Sequence, residues 1–100
     1  MTLVTVELPA ALATAGTRGR FGVEIAAPSG LTTATTVADV LDVLALTHPL
    51  LERRLRDETG QVRRFVNLYV DGEDIRRTGG PATPVPDGAE LLVVPSVAGG

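Results

Sequence analysis

The sequence contains no cysteine and no lysine, and it has a single histidine. Without cysteine the chain can form no disulfide, thiolate nucleophile or persulfide of its own. Without lysine it can form no Schiff base, and nothing can be attached to a lysine of this chain. One histidine argues against a zinc site or a Ser-His-Asp centre. These absences argue against an enzyme with its own covalent chemistry.

Positive charge and long apolar runs are also scarce. The net charge is −3, which argues against a nucleic-acid binder because phosphate neutralisation needs a basic face. No apolar run is long enough to span a membrane, and no basic segment precedes an apolar run at the start. We therefore expect a cytoplasmic protein that binds neither nucleic acid nor membrane, holds no metal or cofactor, and is a monomer on its own. One hundred residues, 44% of them hydrophobic, predict one domain with a modest core.

Two periodicities follow one another along the chain. Alternating apolar residues predict a strand over residues 2–8 and, after a flexible turn, a returning strand over 21–26. The next segment has the period of a core-facing helix, with apolar residues at Val37, Val40, Leu41 and Leu44. Thr36 is the predicted N-cap, with Asp39 at capping-box spacing, and Pro49 ends the helix.

The C-terminal half contains shorter elements. Residues 50–56 predict a second helical turn, and residues 63–71 predict the clearest strand of the chain. Asp-Gly pairs at 71–72 and 87–88 predict turns, and a last strand begins at Glu90.

This order of elements predicts the fold class. A hairpin, a crossover helix and further strands indicate an α+β protein, a mixed sheet with one main helix packed across one face. The chain divides into a body over residues 1–95 and an extended, flexible tail over 96–100. Residues 73–74 are interpreted as turn residues, and the glycines at 79–80 as a loop that needs positive φ.

The period-2 rule assigns side chains to the two faces of the sheet. Val66, Leu68 and Val70 form an aliphatic set suited to the helix side, and Leu91 and Val93 join them. The outward residues are predicted to form an apolar patch if their strands are neighbours, and we call this set the open-face patch: Phe65, Asn67, Tyr69, Leu92 and Val94. An exposed apolar patch predicts a docking surface for a partner. The alternative is that Phe65 and Leu92 cover a sheet edge or contact the loop at 81–86.

The sequence ends in Gly99-Gly100. A terminal carboxylate on two glycines is a handle that an ATP-dependent enzyme can reach, because glycine has no Cβ and can lie in a narrow tunnel. The alternative is a frayed end without function. Whether the glycine pair is a reactive handle or a frayed end therefore depends on the motifs that accompany it.

Several motifs occur together in the order found in one known family. They comprise the strand RFVNLYV at 64–70, the Asp-Gly turn at 87–88 before the last strand, and the ending PSVAGG at 95–100. In these features the chain resembles the ubiquitin-like sulfur-carrier family of MoaD/ThiS type, and most of all the CysO-type cysteine-biosynthesis carriers of actinobacteria. The N-terminal two thirds are similar only in the order of elements.

The resemblance implies a ubiquitin-like β-grasp fold and a carrier, not an enzyme. It implies that an E1-like adenylyltransferase/sulfurtransferase, using ATP and Mg²⁺, activates the carboxylate of Gly100, which then bears sulfur as a thiocarboxylate. Val97, Ala98 and Gly99 would thread the partner's active site, and no cofactor would be bound by the chain itself. A sulfur-accepting synthase of cysteine synthase or thiosugar synthase type would take the sulfur.

Two questions stay open at this point. Cysteine synthesis is the first choice of pathway, ahead of thiosugar or other secondary-metabolite synthesis, and ahead of the thiamine and molybdopterin pathways. A ubiquitin-like modifier, joined through its last glycine to lysines of other proteins, needs the same activation of the same carboxylate. Nothing in the tail separates a modifier from a sulfur carrier.

Overall fold

The computed structural model describes residues 2–12, 19–26 and 35–95. Within these ranges a mixed sheet of five strands has one face covered by helices. In chain order the strands are β1 (Thr2–Leu8), β2 (Gly19–Ile25), β3 (Val66–Val70), β4 (Glu73–Asp74) and β5 (Glu90–Pro95). Their order across the sheet is β2-β1-β5-β3-β4, with β1 and β5 parallel and the other pairs antiparallel.

In the described ranges, three α-helices and two short 3₁₀ turns lie between the strands. The helices are α1 (Val37–Thr47), α2 (Pro49–Leu55) and α3 (Ile75–Thr78), and the 3₁₀ turns are Ala10–Leu12 and Gly80–Ala82. None of the helices in the described ranges is long and apolar enough to cross a membrane.

The main helix begins at the predicted capping box. The Thr36 hydroxyl accepts a hydrogen bond from Asp39 N at 3.3 Å, and the Asp39 carboxylate accepts one from Thr36 N at 2.9 Å. This reciprocal pair satisfies two backbone donors at the helix start. The four predicted stripe residues are all buried, namely Val37, Val40, Leu41 and Leu44. The helix ends before Pro49, which begins α2, so both helix predictions are confirmed.

One arginine joins the two consecutive helices. Arg56 donates from Nε to Glu52 at 2.8 Å and from Nη1 to Asp42 of α1 at 2.9 Å. Burial acts to lower the pKa of Arg56, but its hydrogen bonds to these carboxylates outweigh burial and raise it. The guanidinium therefore stays charged and fixes α2 against the middle of α1.

The core lies between the helices and the covered face of the sheet. It is aliphatic, and its completely buried side chains come from β1, α1, α2, β3, β5 and the loop before β5. The predicted inward residues of β3 and β5 are all buried: Val66, Leu68, Val70, Leu91 and Val93. The division of the sheet into a covered and an open face is therefore confirmed.

The structure differs from the sequence prediction around β3. The strand begins at Val66 and not at residue 63, because Arg63 N donates to Leu55 O at 2.9 Å and Arg63 O accepts from Val66 N at 3.1 Å. These bonds hold the preceding segment against the end of α2. Both backbone groups of Arg63 are thus engaged and not available to extend the sheet.

Residues 73–74, which were predicted to be turn residues, form a short strand. Asp71 and Gly72 both have positive φ, 48° and 88°, as a two-residue hairpin turn of type I′ requires, so Glu73 and Asp74 return as β4 beside β3. Asp74 then caps α3 by accepting from Arg76 N at 2.9 Å. The predicted positive φ of the glycine pair is confirmed, at 123° for Gly79 and 62° for Gly80.

Candidate functional site

The candidate site is on the open face of the sheet, where β3 and β5 lie side by side. Their register places Asn67 opposite Val94 and Tyr69 opposite Leu92. Side chains of directly opposite residues lie on the same face, with Cβ atoms about 5 Å apart. All four residues are partly exposed. The structure thus brings four of the five open-face patch residues into one contiguous surface, because the two strands are neighbours as the prediction required.

Phe65, the fifth residue of the patch, lies one residue before β3. Its side chain is 59% exposed, so most of the ring stays in contact with solvent. The alternative prediction, that Phe65 and Leu92 cover a sheet edge or contact the loop at 81–86, is not tested by this exposure. A large aromatic side chain left in water beside other apolar residues is typical of a partner surface.

Asn67 carries a polar atom that lacks a partner. Its Oδ1 is buried and accepts no hydrogen bond from any of the described residues. A buried acceptor without a donor costs roughly 1–3 kcal/mol, so such atoms in native proteins call for a physical explanation. The position of Asn67, in the middle of the open-face patch, favours a role of this amide in contacts made by the patch.

The open face extends further than the sequence analysis predicted. The parallel pairing of β1 with β5 places Thr5 beside Glu90 and Glu7 beside Leu92, and Leu3 on β1 is 47% exposed. Alternation in residues 2–8 puts Leu3 on this face, but the sequence alone does not show that β1 lies next to β5. The site therefore includes β1, which sequence reasoning missed.

The first residue of β5 is held in place by two turns. Asp71 accepts from Glu90 N through Oδ1 at 2.9 Å and donates from its own N to Glu90 O at 2.9 Å. Asp87 accepts from Leu3 N at 2.8 Å, and Gly88 N donates to Leu3 O at 2.8 Å. These bonds fix the start of β5, and with it the register of the whole strand.

The far end of β5 lies beside the patch. Pro95, its last residue, is opposite Val66, the first residue of β3, and Val66 directly follows Phe65. The chain after Pro95 therefore departs from the end of the sheet that carries Phe65. The residues predicted to act chemically, Val97, Ala98, Gly99 and Gly100, lie outside the described residues, as does the whole predicted tail. The division into a body over 1–95 and a tail stays a prediction.

Removing the Asp71 carboxylate is expected to destabilise the fold measurably. Asp71→Ala loses the bond to Glu90 N and places an alanine at φ 48°, together a cost of about 2 kcal/mol in the free energy of unfolding. Asp71→Asn is the matched control, because asparagine tolerates this φ and keeps an acceptor oxygen. Urea denaturation followed by circular dichroism measures both, and equal stabilities of the two variants would contradict the assigned role of Asp71.

The arrangement of these elements defines a class of protein. A mixed sheet with a central parallel pair of first and last strands, and one main helix across one face, is a ubiquitin-like β-grasp. The sequence model of the ThiS family matches residues 23–100. The chain belongs to the ThiS family.

Relatives and solved structures agree with this assignment. The sulfur carrier protein CysO of Mycobacterium tuberculosis is 40% identical over 67 residues, which are 65% of this chain and 72% of CysO. Small archaeal modifier protein 3 of Haloferax volcanii is 38% identical over 65 residues, 65% of this chain and 70% of that protein. A chain in the crystal structure of the Amycolatopsis orientalis BexX/CysO complex has a TM-score of 0.72 and 35% identity, covering 97% of this chain and 99% of that one.

The same fold appears in a protein named as a modifier. The crystal structure of SAMP1 from Haloferax volcanii has a TM-score of 0.73 and 29% identity, covering 98% of this chain and 99% of that one. The predicted β-grasp fold and the resemblance to the MoaD/ThiS-like sulfur-carrier family are thus both confirmed. The relatives named CysO are sulfur carrier proteins. Together with the family match, they support the description of this chain as a sulfur carrier protein of CysO type.

Proposed function

We propose that this protein is a CysO-type sulfur carrier whose Gly100 carboxylate is converted to a thiocarboxylate. The observation that carries the proposal is the match to the ThiS family, which extends through Gly100. The open-face patch supports it, because its Asn67–Val94 pair lies directly beside Pro95, from which the chain leaves the sheet. A partner docked on the patch would hold the last five residues close to its own active site.

The chemistry of the residues fits a carrier acted on by a partner. A carboxylate is a poor electrophile, and adenylation by an E1-like enzyme with ATP and Mg²⁺ would give it AMP as a leaving group. A sulfur donor would then displace AMP and leave sulfur on Gly100. The chain has no cysteine, so the glycine carboxylate is the one group on which it could carry sulfur covalently. The carrier itself would bind no cofactor and catalyse no step.

The sulfur acceptor would be a biosynthetic enzyme that receives the tail, with Val97, Ala98 and Gly99 extended in its active site. Cysteine synthesis is the first choice because of the 40% identity to CysO. Synthesis of a thiosugar or another secondary metabolite is the next, ahead of thiamine and molybdopterin. The BexX/CysO complex supports a partner protein in general, since a similar chain is part of a two-protein assembly there.

Intact mass spectrometry tests the proposal directly. The purified protein is incubated with its activating enzyme, ATP, Mg²⁺ and a sulfide source, with AMP release measured in parallel. We expect a mass increase equal to the replacement of one oxygen by sulfur, and no increase when Gly100 is deleted. An unchanged mass despite AMP release, or sulfur loading of the deletion variant, would contradict the proposal.

A protein modifier is the second candidate, favoured by the similarity to small archaeal modifier protein 3. A modifier would form isopeptide bonds between Gly100 and lysines of other proteins. Heating cell extract with strong thiol separates the two functions, because isopeptide adducts survive this treatment and thioester complexes do not. Adducts that survive the thiol treatment, and that are absent when Gly100 is deleted, would establish modification.

A further inference from the structure

Among the residues that the structure describes, the sheet has one long edge along which no strand pairs, and we call it the free edge. All seven residues of β2 pair with β1 on one side, and no strand in the described part of the chain pairs with the other side. The opposite edge is different, because β4 has only two residues and runs directly into α3. Along β2, every second backbone N–H and C=O points away from the sheet, which makes this edge a template for another strand.

We propose that two copies of this chain associate edge to edge through β2, antiparallel, with the two-fold axis at Gly22. In that register Arg20 of each copy lies opposite Glu24 of the other, and Phe21 lies opposite Val23. The strand is therefore self-complementary in this register, with opposite charges facing each other and apolar residues facing each other. This proposal goes beyond the proposed sulfur-carrier function and does not depend on it.

The charged pairs lie on one face and the apolar pairs on the other. In the pairing with β1, Arg20 is opposite Glu7 and Glu24 is opposite Leu3, so both charged side chains lie on the open face, and both are exposed. The symmetry forms the Arg20–Glu24 pair twice, and opposite charges on directly facing residues stabilise strand pairing. Phe21 and Val23 lie on the helix side, where the Phe21 ring is 5.1 Å from that of His48.

Arg20 already has a carboxylate partner in its own chain, and association would exchange that partner for Glu24 of the second copy. Its Nη2 binds Glu90 at 2.5 Å, and the side chain remains 61% exposed. This ion pair directs the guanidinium across β1 toward β5, away from the free edge of β2. Exposed ion pairs contribute little to stability, so Arg20 can release Glu90 and turn to Glu24 of the second copy.

Gly22 places no side chain on the open face at the centre of the interface. A Cβ built there would meet one atom within 4 Å, the Leu3 Cδ1 at 3.5 Å, so this face has room for the charged pairs on either side of Gly22. Other registers are worse. A shift by one residue places charged residues of one copy opposite apolar residues of the other. A shift by two places Arg20 opposite Gly22 or Ala26, depending on its direction, so no opposite-charge pair forms within β2.

The association leaves the open-face patch uncovered. β1 and β5 separate β2 from β3, and a two-fold axis perpendicular to the sheet keeps both open faces on the same side. A single pair of edge strands buries less than the ~1,200 Å² typical of stable interfaces, so the association is weak. The expectation of a monomer then holds at low concentration, and the dimer forms at high concentration.

Sedimentation equilibrium over rising concentrations tests the proposal with charge reversals. Glu24→Arg places arginines opposite Arg20, and Arg20→Glu places glutamates opposite Glu24, so each variant alone is expected to self-associate at least about tenfold more weakly. An equimolar mixture of the two variants restores both opposite-charge pairs. We expect the mixture to associate as tightly as the unaltered protein, and the association to weaken at high salt.

The control reversal is Glu73→Arg, on the short β4 edge, which is expected to leave self-association unchanged. Circular dichroism shows whether each variant is folded, which matters for Arg20→Glu because it removes the bond to Glu90. A monomeric unaltered protein at millimolar concentration, an unaffected Glu24→Arg variant, or a mixture that stays monomeric would each overturn the proposal. Sulfur loading of the same samples is measured separately, so failure of the dimer and failure of the carrier function are distinguishable.

Discussion

Replacing Gly99 by tryptophan is expected to abolish sulfur loading of Gly100 while the domain stays folded. The proposed function requires the last residues to lie extended in a partner's tunnel, and glycine fits there because it lacks a Cβ. An indole at this position would hold the carboxylate away from the bound ATP. Misplacement of a reacting group by about 1 Å can cost about 100-fold in rate, so we expect at least that loss. Intact mass after timed incubation with the activating enzyme measures it.

Two further variants serve as controls for the Gly99→Trp result. Gly99→Ala adds one methyl group and is expected to show an intermediate loss, because a small side chain strains the tunnel less. Leu46→Trp places the same indole on α1 at a side chain that is already 86% exposed, and it should load normally. Normal loading of Gly99→Trp would show that the tail is not threaded through a narrow passage.

Much of the fold could be predicted because local signals and burial agree. The Thr36–Asp39 capping box and the apolar stripe of α1 indicate the same helix, and both are present in the structure. Alternation in β3 and β5 sorts inward from outward residues correctly, since the helix layer covers only one face. Where pattern and environment point the same way, sequence reasoning recovers the element and its buried face.

The missed features depend on contacts between distant segments. β3 begins later than predicted because Arg63 bonds to Leu55 on α2, and alternation within the strand carries no information about that contact. β4 and α3 are only two and four residues long, too short for any periodicity to indicate them. The ion pair from Arg20 to Glu90 crosses from β2 over β1 to β5, so it depends on the order of strands in the sheet.

Part of the candidate site could likewise be predicted from the sequence, and part of it depends on the topology of the sheet. Tyr69 and Leu92 were predicted to lie outward, and their direct opposition follows from the pairing of β3 with β5. The extension of this face to Leu3 requires the parallel neighbour β1, which the sequence does not identify. The unpartnered oxygen of Asn67 is visible only once its surroundings are packed. A pattern thus indicates which side chains face outward, and the topology determines which of them lie together.

An aspartate in the middle of the open-face patch is expected to weaken docking of the activating enzyme and so to lower the efficiency of activation. Leu92 lies opposite Tyr69 on β3 and beside Glu7 on β1, so Leu92→Asp puts a charge at the centre of the proposed docking surface. Burying an unpaired carboxylate against a partner is costly. Loss of a central contact typically costs 2 kcal/mol or more, so we expect kcat/KM for adenylation to fall by about 30-fold or more. The kcat at saturating carrier is expected to change little, because the tail and its carboxylate are unaltered.

Leu46→Asp is the control, since it makes the same substitution at an exposed leucine of α1, in the layer on the opposite side of the sheet. Its kcat/KM is expected to equal that of the unaltered protein. Thermal unfolding shows whether Leu92→Asp remains folded, and Phe65→Asp repeats the test at a residue that is 59% exposed and lies outside any strand. If both Leu92→Asp and Phe65→Asp are activated normally, the partner docks elsewhere, and the open-face patch needs another explanation. If both lose activity while Leu46→Asp keeps it, docking occurs through the face where β3 and β5 meet, next to the end of β5 from which the tail departs.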